Sequence, residues 1–248
     1  MYKSSVEAFA NLAKEKSNLL RNNFFGYFVS SMLAGIYVGF GIVLIFAIGS
    51  PLFSNNSPFL KFIMGISFGI ALTLVIFAGS ELYTGNTMVM SYGVFLKTVR
   101  LRELLLVWLI SYFGNLAGSL LISYLVYISG GAEQMIPILS KIVPLKMQLS
   151  VLALIIRGFL CNLLVCLAVW MSGRAKDDTA KIFLIFWCLF AFIGSGFEHS
   201  IANMSLISLG IFQLNLGWMG FLYNLLWVTI GNTLAGVMLA FSYYLISK

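Results

Sequence analysis

Apolar positions run along this chain in long, nearly unbroken stretches rather than in the alternating patterns of half-buried soluble elements. Six of them, at about 28–49, 60–79, 104–128, 149–172, 181–197 and 219–246, are near the roughly 20 residues that a helix needs to cross a bilayer. The second and fifth stop at a polar break and resume as short apolar runs, 87–96 and 204–212. The pattern predicts an all-α membrane protein of six crossings in which helices 2 and 5 are broken.

The polar residues within these stretches carry a repeat. Adding 117 to a residue number takes Gly79 to Gly196, Glu81 to Glu198, Asn86 to Asn203, Gly114 to Gly231 and Asn115 to Asn232. Hydrocarbon normally excludes such residue types, so a shared offset among them weighs more than the same agreement among leucines. Local strings agree as well: SELYTGN matches EHSIAN, and GNLAG matches GNTLAG. The chain divides into two three-helix halves, about 28–128 and 149–246. Three is odd, so the second half enters the membrane from the opposite side and the repeat is inverted. The breaks, near 80–86 and 198–203, are expected to face each other across a pathway, because non-helical backbone survives at that depth only inside protein or along a wet cavity.

Composition agrees. Of 248 residues 60% are hydrophobic and 9% charged, with a mean hydropathy of +0.99, which excludes an ordinary soluble domain. Eleven of the 15 Lys and Arg residues fall on one side of the predicted crossings, against Lys61, Lys141 and Lys146 on the other. This bias places both termini in the cytoplasm. It also accounts for most of the +7 net charge without a nucleic-acid partner. Residues 1–27 read as an amphipathic helix on the cytoplasmic face, apart from the channel domain of 28–248, with a gating role open to it. No signal peptide is expected at this end. Cys161, Cys166 and Cys188 lie inside crossings without metal-ligand spacing and read as small core residues.

Glu81 and Glu198 stand where one helix stops and another begins, and are expected to cap the free N–H groups of each break. Asn86, Asn203, Asn115 and Asn232 read as glue between helices, with Asn232 the one expected to face the pore. His199 is the only histidine and has no mate, since Leu82 occupies its place in the first half. An ionisable group at a midplane break marks function, as proton donor or as neutral hydrogen-bond donor. Thr84 brings a hydroxyl to the same level, and Lys146 reads as an interface anchor. Arg157, in mid-crossing, is left three options: an intramembrane acid, a neighbouring subunit, or snorkelling. A serine protease built on Ser195 or Ser200 would need those serines on a different helix from His199, and no metal or cofactor motif occurs, so neither enzyme activity nor a cofactor is expected.

In these residues the sequence resembles the formate/nitrite transporter family over nearly its whole length. AGSELYTGNTM, CNLLVCLAVWM and GFEHSIANM carry the match in order, and the last, with the GNTLAG region, is most similar to the nitrite channel branch. The resemblance implies an aquaporin-like fold in the cell membrane (the inner membrane, in bacteria with two), assembled as a homopentamer in lipid with a pore through each protomer. It implies a small weak-acid anion as substrate, nitrite first, with formate or hydrosulfide as alternatives and a proton as partner. It places His199 and Thr84 mid-pore, Leu72, Leu82 and Val165 at the cytoplasmic constriction, and Phe68 and Phe192 at the outer one. Lys146 becomes a vestibule lysine that attracts the anion, and Asn232 lies near the histidine. Tyr83 departs from the family's usual phenylalanine, which questions substrate preference. A neutral-solute pore shares the architecture, but neither break carries the Asn-Pro-Ala of aquaporin-type channels.

Overall fold

Backbone in hydrocarbon must satisfy its own hydrogen bonds, and each apolar stretch does so as helix. The computed structural model describes residues 2–248, and among them contains helices and no strand. Six helices or helix runs have the length and composition of membrane spans: α2 (Phe24–Ser54), the run Leu60–Gly79, α6 (Leu101–Ile128), α8 (Val151–Arg174), α9 (Asp178–Ser195) and α11 (Trp218–Ser247). The run Leu60–Gly79 comprises α3 (Leu60–Ser67), α4 (Gly69–Leu74) and a widened π turn, Val75–Gly79. The short apolar runs after the breaks form α5 (Tyr83–Phe95) and α10 (Ser200–Leu214).

The helix ends follow from local chemistry. Asn23, Ser150 and Asp177 each accept a hydrogen bond from the backbone N–H three residues on, at 2.9, 3.3 and 2.8 Å, starting α2, α8 and α9. Both broken helices stop at glycines in the left-handed region, Gly79 at φ +79° and Gly196 at φ +72°. A side chain there would be strained, which explains why glycine recurs at the same point of each half.

The two halves interlock. Within each, the first crossing packs on the third, α2 on α6 and α8 on α11. The half-helices cross over: α5 lies chiefly along α11 and α10 chiefly along α6. Every residue of Tyr83–Gly93 and Ser200–Ile211 is buried, so both half-helices form the middle of the bundle.

Matching hydrogen bonds make the inverted repeat visible. Asn115 accepts from Tyr83 N–H at 2.9 Å and donates to the carbonyls of Ser31 and Glu81 at 2.7 and 2.8 Å. Asn232 accepts from Ser200 N–H at 2.9 Å and donates to the carbonyls of Gly158 and Glu198 at 2.7 and 3.1 Å. Glu81 N–H bonds the Ser30 carbonyl at 3.3 Å, as Glu198 N–H bonds that of Arg157 at 3.2 Å. Asn232 was expected to face the pore; its amide is instead fully engaged in clamping the second break, as Asn115 clamps the first. The inverted three-plus-three arrangement is that of aquaporin-like channels.

The N-terminal segment is not a separate element lying on the surface. α1 (Lys3–Asn22) docks on α5, with Phe9 5.8 Å from the Tyr92 ring; Phe9 also stacks on Trp170 of α8 at 5.3 Å, and Thr98 Oγ1, just past α5, donates to the Ala10 carbonyl at 2.8 Å. The second half has its own short helix before the first crossing, α7 (Ile136–Met147), which hydropathy did not predict.

Asn115→Leu and Asn232→Leu should each strip partners from three buried backbone groups, at about 1–3 kcal/mol per group. Both variants are expected to melt lower in detergent than the parent, and by similar amounts, as a thermal-shift measurement will read.

Candidate functional site

Where the breaks meet, the first residues of α5 and α10 come together. Thr84 Oγ1 lies 3.0 Å from His199 Nε2, although 115 residues separate them in the chain. His199 is the N-cap of α10: its Nδ1 accepts from Ala202 N–H at 3.1 Å. A nitrogen that accepts carries no proton, so the ring is neutral, with its hydrogen on Nε2 donated to Thr84. The lone histidine thus does for α10 what a capping Asn or Ser does elsewhere.

The imidazole forms one wall of a cavity whose other walls are apolar: Val38, Phe68, Ala71, Leu72, Leu82, Val165, Leu189 and Phe192. It has room for about one water molecule. Phe68 meets Phe192 edge-on at 5.5 Å, and Phe192 stacks on the imidazole at 5.9 Å. All five apolar residues singled out from the sequence, Leu72, Leu82, Val165, Phe68 and Phe192, are therefore brought together around His199. Sequence reasoning missed Val38, Ala71 and Leu189, because apolar residues in apolar helices carry no mark of their own. Thr84 stands behind the ring, fully buried, and is not part of the cavity wall.

The two glutamates do not cap the breaks. Glu198 is 2% exposed and accepts from Lys146 Nζ at 2.7 Å and from Asn203 Nδ2 at 2.6 Å. Glu81 accepts from Lys16 Nζ at 2.7 Å, from Asn86 Nδ2 at 3.0 Å and from the Tyr27 hydroxyl at 3.0 Å. The N–H groups of Tyr83, Ser200 and Ala202 at the breaks are served by Asn115, Asn232 and His199 instead, which leaves each carboxylate to take a lysine from the short helix before its half. Lys146 is consequently one member of an ion pair and not an isolated charge. Asn86 and Asn203 act as expected, tying each glutamate to its half-helix. Lys16 was missed as a mate of Lys146 because the two are 130 residues apart, not 117, and a fixed-offset search passes over them.

Tyr83 points out of the pathway. Its hydroxyl bonds Thr233 Oγ1 at 2.7 Å and its ring meets Tyr112 edge-on at 5.1 Å. The constriction therefore stays apolar despite the exchange of phenylalanine for tyrosine.

An inverted pair of three-helix halves closing on a narrow, mostly apolar cavity defines a multi-pass membrane transporter of channel type. The chain belongs to the formate/nitrite transporter family, whose model, described as Formate/nitrite transporter, matches residues 3–246. It is 43% identical to the nitrite transporter NirC of Salmonella typhimurium, over 96% of this chain and 89% of that protein. It is 33% identical to a probable formate transporter of Methanothermobacter thermautotrophicus, over 85% and 84% of the two chains. Among solved structures, an FNT family ion channel superposes with a TM-score of 0.92 at 40% identity, covering 99% of each chain. A pentameric formate channel with formate bound superposes with a TM-score of 0.78 at 28% identity, covering 90% of this chain and 96% of the other. The family comprises transporters and channels, not enzymes.

Two measurements check this geometry. Tyr83→Phe is expected to leave anion uptake into proteoliposomes unchanged, since the hydroxyl it removes faces Thr233. Lys146→Gln should destabilise the protein by about 3–5 kcal/mol by stranding the buried Glu198 carboxylate, and Lys146→Gln with Glu198→Gln should recover most of that loss. Melting temperature in detergent separates the two variants.

Proposed function

We propose that the chain passes small monovalent anions of weak acids, nitrite first, through a pore in each protomer of a homopentamer in the cell membrane, with both termini cytoplasmic. The observation that carries this reading is the convergence of two half-helix N-termini on one hydrogen-bond donor inside an apolar constriction. Each N-terminus presents roughly half an elementary positive charge. Among the described residues the first-turn N–H groups of Thr84, Gly85 and Ile201 have no protein partner. That environment suits an anion that has shed its water, and the same positive helix ends disfavour a cation there. The names and likeness of the nitrite transporter and the pentameric formate channel support both the substrate class and the assembly, and the lysine bias supports the orientation.

Both nitrogens of His199 are engaged in this conformation, so an entering anion competes with Thr84 for the Nε2 hydrogen. The neutral ring has one N–H and donates it as a hydrogen bond. Passing a proton to the anion would first require protonating Nδ1, which would set that new N–H against the Ala202 N–H. The reading therefore favours hydrogen-bond donation at His199, with Thr84 holding the ring ready and Lys146 acting as the outward member of a neutral pair.

His199→Asn separates the two roles. An asparagine can cap α10 through its oxygen and offer an N–H towards Thr84, but it does not titrate. Passive nitrite flux into proteoliposomes is expected to persist in His199→Asn and to fall in His199→Leu, which supplies neither group. Loss of flux in both variants alike would overturn the hydrogen-bond role. Parallel assays with formate and hydrosulfide rank the substrates.

A further inference from the structure

α1 ends at Asn22 and the first crossing, α2, begins at Phe24, so the chain enters the membrane directly after its first helix. α6 begins its own crossing beside this entry, at Leu101, and an open groove of about 350 Å³ lies between α6 and the end of α1. Small-molecule sites usually enclose about 300–1,000 Å³.

Three polar side chains line the groove, and each has bonding capacity left over. Arg21, in the last turn of α1, forms no ion pair among the described residues, and its one side-chain contact is Asn18 Oδ1 at 3.5 Å. Glu103, in the first turn of α6, accepts from Arg100 N–H at 2.6 Å through Oε2, which leaves Oε1 open. Ser17 is 8% exposed, yet its hydroxyl has no hydrogen-bond partner among the described residues. A buried hydroxyl without a partner is costly unless a ligand supplies one. A guanidinium and a carboxylate thus share one groove without pairing with each other.

The other walls are apolar: Leu20, Phe24, Leu106 and Ile110, with Phe24 and Leu106 exposed. Glu103 and Ile110 are seven residues apart, about 10 Å along α6. The groove therefore runs from charged groups at the start of two crossings down to the level of the hydrocarbon.

We propose that this groove holds one phospholipid whose headgroup joins a phosphate to a primary ammonium, as in phosphatidylethanolamine. The phosphate takes the Arg21 guanidinium and the Ser17 hydroxyl, the ammonium donates to Glu103 Oε1, and a tail follows Leu106 and Ile110 along α6. The carboxylate selects the headgroup. Phosphatidylglycerol sets no cation against Glu103, and the quaternary ammonium of phosphatidylcholine has no N–H to donate. A water-soluble phosphate ester would leave the apolar walls uncovered. The bound lipid ties the end of α1 to the start of α6, next to the residue, Lys16, that pairs with Glu81.

The test adds phosphatidylethanolamine, phosphatidylcholine or phosphatidylglycerol with identical tails to the delipidated full chain in detergent and measures bound lipid by native mass spectrometry. The parent is expected to bind phosphatidylethanolamine about tenfold more tightly than either of the others, as one extra charge-assisted hydrogen bond provides. Arg21→Gln should weaken phosphatidylethanolamine and phosphatidylglycerol together. Glu103→Gln, whose amide oxygen can still accept from Arg100 N–H, should weaken phosphatidylethanolamine alone and erase its lead. Leu106→Trp, which fills the tail level and leaves both charges in place, should weaken all three. Equal binding of the three headgroups by the parent, a lead for phosphatidylglycerol, or an undiminished phosphatidylethanolamine lead in Glu103→Gln would overturn the proposal. Should Glu103→Gln fail to fold, Arg21→Gln decides the matter, and unchanged affinity for phosphatidylethanolamine there would overturn it equally.

Discussion

Every feature of this protein follows from interrupting a helix inside a membrane without leaving its backbone unpaired. A span that breaks at mid-depth exposes N–H and C=O groups where no solvent can take them, at several kcal/mol each. Here each break is tied by one asparagine from the third helix of its half, which bridges the half-helix N-terminus to the first crossing. With the backbone held by amides, the glutamates are released from capping and anchor lysines from α1 and α7. The same constraint buries α5 from Tyr83 to Gly93 and α10 from Ser200 to Ile211, and turns their N-termini towards each other.

Symmetry supplies the scaffold and a single substitution supplies its chemistry. Gly79 and Gly196, Glu81 and Glu198, Asn86 and Asn203, and Asn115 and Asn232 do equivalent work in the two halves. At the remaining place Leu82 forms part of the apolar wall and His199 forms the donor, so a two-fold frame encloses an asymmetric cavity. His199 is positioned by the need it meets: in capping α10 through Nδ1 it fixes its own tautomer and leaves Nε2–H as the group offered to a partner.

Much of this was legible in the sequence, for physical reasons. Polar residues in hydrocarbon are costly, so their spacing survives as a readable repeat: Glu81 and Asn86 stood out with their mates, and His199 stood out for having none. The cavity lining was reached through family resemblance, not through pattern, since Leu72 and Val165 look like any other residue of an apolar helix. What escaped was pairing. Nothing in one dimension shows that Lys16 reaches Glu81, that Lys146 is held by Glu198, or that Asn232 clamps backbone instead of lining the pore. The docking of α1 escaped for the same reason: an amphipathic helix looks alike whether it lies on lipid or on protein.

The central claim is that a neutral imidazole, protonated at Nε2 and capped at Nδ1, meets the anion at the constriction. Because His199 is the only histidine, a chain labelled with ¹⁵N-histidine and reconstituted in lipid gives one pair of ring nitrogen signals. The account predicts one protonated and one unprotonated nitrogen at neutral pH, with the proton on Nε2. An imidazolium protonated on both nitrogens, or a proton residing on Nδ1, would contradict it.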